Sequence, residues 1–189
     1  MDRNAILNAM EKKAKTIFDD NNDYAKDGKR GVMVVQIRDE KNPEQWDSSL
    51  RSFGVTFRDY AIEDGLVINN GVNFDALVHG KIAFSRRTNL NSGTNYYQVL
   101  GSESWWKGSV TSEDGNCICA FAGFSNDDDD LIAKAGIACY ESLKRTGKSL
   151  AGDYTGKMGK GKKGKNAESE AQDEAESDTE EIIIGDNEE

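Results

Sequence analysis

Four consecutive aspartates, Asp127 to Asp130, separate an apolar run, "CICAFAGF", from an alanine-rich periodic segment, "LIAKAGIACYESL". Carboxylates at that density suit three kinds of chemistry: binding of a hard cation, acid–base catalysis, or the electrostatics of a helix start. Mg²⁺ and Ca²⁺ need oxygen ligands that converge, whereas successive residues at a helix start point in different directions. The first turn of a helix also carries four unpartnered backbone N–H groups and the positive end of the macrodipole, so each carboxylate there contributes about 0.3–1 kcal/mol. With Ser125 or Asn126 available as a cap just after Gly123, the run reads as the start of a helix.

Other reactive side chains are few. His79 is the only histidine, and it falls on a predicted helix that ends in Arg86, Arg87 and Thr88. Cations at that place complement the negative end of a helix, and they also suit an anionic ligand. The three cysteines, Cys117, Cys119 and Cys139, lack a zinc spacing, so no metal site is predicted. An odd cysteine count after an N-terminus without a secretory pattern points to reduced thiols in a cytoplasmic or nuclear compartment. No apolar run is long enough to span a membrane. The segment "GKMGKGKKGK" lacks the spacing of a phosphate-binding loop and any strand before it, and no nucleophile is paired with a base, which leaves catalytic residues unknown.

The elements that must position these residues follow from periodicity. Leu7, Met10, Ala14, Ile17 and Phe18 predict an amphipathic helix over residues 4–20. "VMVVQIRD" predicts a buried strand, and residues 49–68 predict one or two more, with a turn at Asp64 and Gly65. Phe74, Leu77, Val78 and Ile82 predict a second helix over about 72–87. Strands are then expected at "YYQVLG" from Tyr96, "SWWKGSVT" from Ser104 and "CICAFAGF" from Cys117, before a third helix over about 127–145. In such a strand the adjacent Trp105 and Trp106 point to opposite faces, one into the core and one toward a homo-oligomer interface or pocket wall. The grouping predicts an α+β domain with an antiparallel sheet covered by helices.

Charge divides the chain. Residues 1–152 hold 19 bases and 22 acids, whereas residues 166–189 hold eleven acids and no Lys or Arg. The predicted organisation is a globular domain over 1–150 and a disordered tail over 151–189, Lys/Gly-rich and then acidic. Net acidity argues against nucleic acid as a partner. Within the tail, Ile182, Ile183 and Ile184 in an acidic frame resemble a SUMO-interacting motif, which implies a protein partner engaged by strand addition.

Three segments together resemble the GlcG/HbpS-like, or haem-degrading domain, family: a first helix leading into "VMVVQI", the middle segment "ALVHGKIAFSRRT", and "CICAFAGF" passing through an acidic patch into "NDDDDLIAKAGIACYESL". The resemblance covers about residues 4–147. It implies a profilin-like antiparallel sheet flanked by helices and assembly into homo-oligomers. For some members it implies binding of haem or another small anionic ligand. The position of Arg86, Arg87 and Thr88 adjoins the pocket of that family, and these three, with His79 as the only histidine, are the candidate ligand residues.

Overall fold

A computed structural model describes residues 1–153, in the order α1 (Arg3–Asp20), α2 (Asn22–Asp27), β1 (Val32–Arg38), β2 (Trp46–Ser52), β3 (Phe57–Glu63), β4 (Leu66–Asn73), α3 (Phe74–Thr88), β5 (Ser109–Thr111), β6 (Cys117–Ala122) and α4 (Asn126–Asp153). The tail motif at Ile182, Ile183 and Ile184 lies outside the described residues. Among them no helix is long and apolar enough to cross a membrane. The fold is mixed α+β, with a small antiparallel sheet flanked by helices.

Alternation along the two central strands decides the layering. The sheet order is β2-β1-β6-β5, with every neighbour antiparallel. Met33 and Val35 of β1 and Cys117, Cys119 and Phe121 of β6 face α1 and α4, where they meet Ile6, Leu7, Met10, Ile132 and Ala133. The intervening Val32, Val34, Ile118, Ala120 and Ala122 face α3 and meet Phe74, Val78 and Ile82. Because both faces are covered, β6 is apolar throughout instead of alternating with polar residues. Cys117 and Cys119 share one face of β6, with their sulfurs 3.9 Å apart.

Helix starts follow local chemistry. Asp2 accepts hydrogen bonds from the Asn4 and Ala5 amides to cap α1, and Asn73 accepts one from the Ala76 amide to cap α3. The Asp64–Gly65 turn joins β3 to β4, with both residues in the left-handed region. This hairpin forms a separate two-stranded sheet and runs directly into α3.

Two expectations need correction. The segment from Tyr96 forms a single 3₁₀ turn, Tyr96–Gln98, and the segment from Ser104 is a strand only over Ser109–Thr111. Gly101 and Gly108, both at positive φ, bend the backbone where a longer strand would have to remain extended. Trp105 and Trp106 therefore sit in a loop and not on opposite faces of a strand. Both are partly exposed, with ring centroids 6.4 Å apart and planes perpendicular.

The β5–β6 turn is tied to α4 by one carboxylate. Asp114 accepts hydrogen bonds from Ser112 Oγ, the Asn116 amide, Tyr140 Oη and Lys144 Nζ. Burial raises its carboxyl, but the bonds from Lys144, Ser112 and Asn116 outweigh that and hold it well below the usual carboxylate range. A carboxylate depressed in the folded state stabilises above its unfolded pKa, and that stability is lost as pH falls toward the folded value. Asp114→Asn is therefore expected to cost about 1–2 kcal/mol in urea unfolding at pH 7. The gap from the parent protein should narrow as pH falls below about 4. A gap that stays constant from pH 7 to pH 3 would show that the charge on Asp114 does not matter.

Candidate functional site

The aspartate run begins α4, and its members point four ways. Ser125 is the cap: its Oγ accepts a hydrogen bond from the Asp128 amide at 3.2 Å. Asp127 pairs with Lys107 at 2.7 Å, and Asp130 pairs with Lys134 at 2.6 Å. Asp128 accepts hydrogen bonds from Tyr24 Oη at 2.5 Å and from Ser125 Oγ at 2.8 Å. Asp129 turns inward, where it is buried and 2.7 Å from Lys81 Nζ. At about 100° per residue along a helix, four neighbours cannot converge on one ion. Among the described residues no group of three or more His, Cys, Asp or Glu is arranged to hold a metal.

Lys81 is fully buried, although it lies on α3, across the sheet from the helical layer that contains Asp129. Its ammonium also donates to the Phe121 carbonyl at 2.9 Å, one residue past the end of the β5–β6 ladder. Asp129 completes its own set by accepting the Phe124 amide at 2.9 Å. Burial works against both charges: it pulls the Lys81 ammonium below its ordinary pKa and pushes the Asp129 carboxyl up to about 6, while each partner opposes the other's shift. Gly108 passes so close that a Cβ there would lie 2.6 Å from Asp129 Cβ and 2.8 Å from Lys81 Nζ.

Asp129 also forms part of a cleft of about 430 Å³ at the start of α4. Phe74, Leu77, Phe124 and Trp106 supply apolar and aromatic wall, and Arg30 and Arg58 supply guanidinium groups. Arg30 is nearly buried and largely committed, donating from Nε to the Gly123 carbonyl at 3.0 Å and pairing with Asp27. That pairing is the main reason the Asp27 carboxyl lies below its usual range, and the charge of Arg58 adds to the shift. Arg58 differs from Arg30, because its Nε is buried without a hydrogen-bond partner among the described residues. A buried donor left unsatisfied costs about 1–3 kcal/mol.

The residues singled out in the sequence are not brought together. His79 is exposed, and its Nδ1 lies 2.8 Å from the Asp75 carbonyl of its own helix. Arg87 grips Glu103 through two bonds, Nε to Oε1 at 2.6 Å and Nη2 to Oε2 at 2.7 Å. Thr88 donates back to the Phe84 carbonyl. Arg86 and Arg87 both line a groove with Arg38, and Arg86 and Arg38 lie 5.5 and 4.9 Å from the Trp46 ring centre. Of the tryptophan pair, Trp106 lines the cleft. Sequence reasoning missed Lys81, Asp129, Arg30 and Arg58 as a set. Only the position of Lys81 among apolar neighbours of an amphipathic helix carried a signal, a charge on the face that must be buried.

Removing one member of a buried ion pair leaves the other charge stranded. Lys81→Met is expected to destabilise the protein by roughly 3–5 kcal/mol in chemical unfolding, and Lys81→Met with Asp129→Asn by less than Lys81→Met alone. A single substitution costing under about 1 kcal/mol would show that the pair does not hold the layers together.

No family model matches the chain, and neither a curated protein nor a solved structure is significantly similar to it.

Proposed function

We propose that this chain is a small-ligand-binding and self-assembling module of the GlcG/HbpS-like kind with a profilin-like sheet, and that its ligand is an anion with an apolar, planar body. The observation that carries the ligand reading is the unsatisfied Nε of Arg58, set in a cleft whose other walls are aromatic and aliphatic. A carboxylate or phosphate oxygen would pair with the Arg58 guanidinium on the cleft wall while the ligand body packs on Phe74, Phe124 and Trp106. The resemblance to the family is supported by convergence of its segments. The start of the middle helix and the passage from the last strand through Gly123 into α4 meet at this cleft.

Haem fits the reading less closely than a smaller aryl carboxylate. The only imidazole, His79, sits outside the cleft with its ring turned to its own helix. Self-assembly is supported by apolar side chains that the single chain leaves in water, including Leu50, Phe57, Leu66 and Trp105.

Titration with 2-naphthoate, followed by tryptophan fluorescence, tests the ligand reading. Saturable quenching is expected, weakened about tenfold or more by Arg58→Gln through loss of a charge-assisted hydrogen bond. The quenching should shrink in amplitude with Trp106→Phe. Parallel titration with haem, followed by its Soret band, compares the two ligand sizes. No quenching by 2-naphthoate and no Soret shift with haem, or quenching indifferent to Arg58→Gln, would overturn the proposed site.

A further inference from the structure

The two edges of the four-stranded sheet are finished differently. Along β5 the loop at 91–92 closes the edge: the Ser92 amide donates to the Ser109 carbonyl, the Ser109 amide to Ser92 Oγ, and the Thr111 amide to Asn91 Oδ1. Along β2 no strand follows among the described residues, although β2 is seven residues long and paired to β1 over its whole length. A long open edge presents a row of backbone donors and acceptors ready to pair with another strand.

The side chains of β2 specify what can pair there. Its midpoint is Ser49, and Asp47 and Arg51 lie symmetrically on either side. An antiparallel pairing of β2 with a second β2 about Ser49 uses every residue of the strand. Trp46 then meets Ser52, Asp47 meets Arg51 and Ser48 meets Leu50, each contact occurring twice. The register that pairs the full length is thus also the one that places opposite charges across from each other. Shifting the centre by one residue sets Asp47 opposite Phe53 or Ser49 and loses the charge match.

Both charged groups are available for this. Asp47 contacts Arg3 and Arg51 contacts Glu11 within one chain, and these side chains stay partly exposed. On the other face Leu50 is 48% exposed, because α3 covers β1 and β6 and meets β2 at Trp46, away from Leu50. In the paired register the two Leu50 side chains become diagonal neighbours and cover each other. Charges along a strand edge ordinarily discourage pairing, but a symmetric pair of opposite sign discourages other strands and admits its own copy.

The geometry points to a twofold dimer built by β2 against β2 of a second copy, joining two four-stranded sheets into one. This rests on the self-assembly reading above and assigns it a surface. Mass measurement of the full chain by light scattering at tens of micromolar, with and without substitutions, tests it. The expected results are a dimer, a disulfide-linked dimer of Ser49→Cys under mild oxidation that reductant reverses, and dissociation at least tenfold weaker in affinity for Asp47→Arg. Asp47→Arg combined with Arg51→Asp should recover most of that loss. A monomeric parent protein would overturn both this dimer and the self-assembly reading. A dimer in which Ser49→Cys does not cross-link and Asp47→Arg has no effect would overturn the β2 interface alone and place assembly on another surface, such as that around Trp105.

Discussion

A charged lysine and a charged aspartate buried together are the constraint on which the rest of the structure depends. Lys81 belongs to the helix on one face of the sheet and Asp129 to the helix on the other, so their bond passes the sheet at its edge instead of joining neighbours within one layer. Each would be costly to bury alone. Together with the Phe121 carbonyl and the Phe124 amide they form a set in which both charges have two partners. Room for the set comes from a β5 of only three residues and from Gly108, whose missing side chain leaves space that a Cβ would occupy. A longer β5 would extend the sheet and leave the ammonium no path.

The same bond locates the cleft. By drawing Asp129 inward it fixes the angle at which α4 leaves Gly123, and it sets the first residues of α4 opposite the start of α3 and the β3–β4 hairpin. The other three aspartates then meet different partners around the helix: Lys107 from the tryptophan loop, Tyr24 from α2, and Lys134 one turn on. Tyr24 stacks on Phe124 with ring centres 4.4 Å apart and also supports the Arg30 guanidinium at 5.7 Å, so the cap of α4 and the cationic side of the cleft share one support. Arg58 arrives on the hairpin and makes no such commitment through its Nε. That asymmetry between two arginines is what turns a surface hollow into a candidate binding site.

Buried alternation made much of the fold readable. The apolar pattern of the central strands, the three amphipathic helices, the Asp64–Gly65 turn and the acidic start of α4 were all evident from residue order, because each depends on neighbours within a few positions. The strands expected from Tyr96 and Ser104 failed for the complementary reason. Aromatic content suggests a strand, yet Gly101 and Gly108 adopt positive φ, which only their surroundings reveal. The candidate site was less legible still. Arg86, Arg87, Thr88 and His79 are close in sequence, but a helix turns them outward in different directions, toward Trp46, Glu103, Phe84 and Asp75.

By itself, then, the sequence determined three of the helices, the central strands with their buried faces, and that four aspartates open a helix, since those outcomes rest on periodicity and on the local electrostatics of a helix end. Only the tertiary structure decided which of the four aspartates is buried, that its partner is a lysine 48 residues earlier in the chain, and that Arg30, Arg58 and Trp106 share one cleft. Partners so far apart in the chain are chosen by how layers pack around a short edge strand, and that choice has no period for residue order to display.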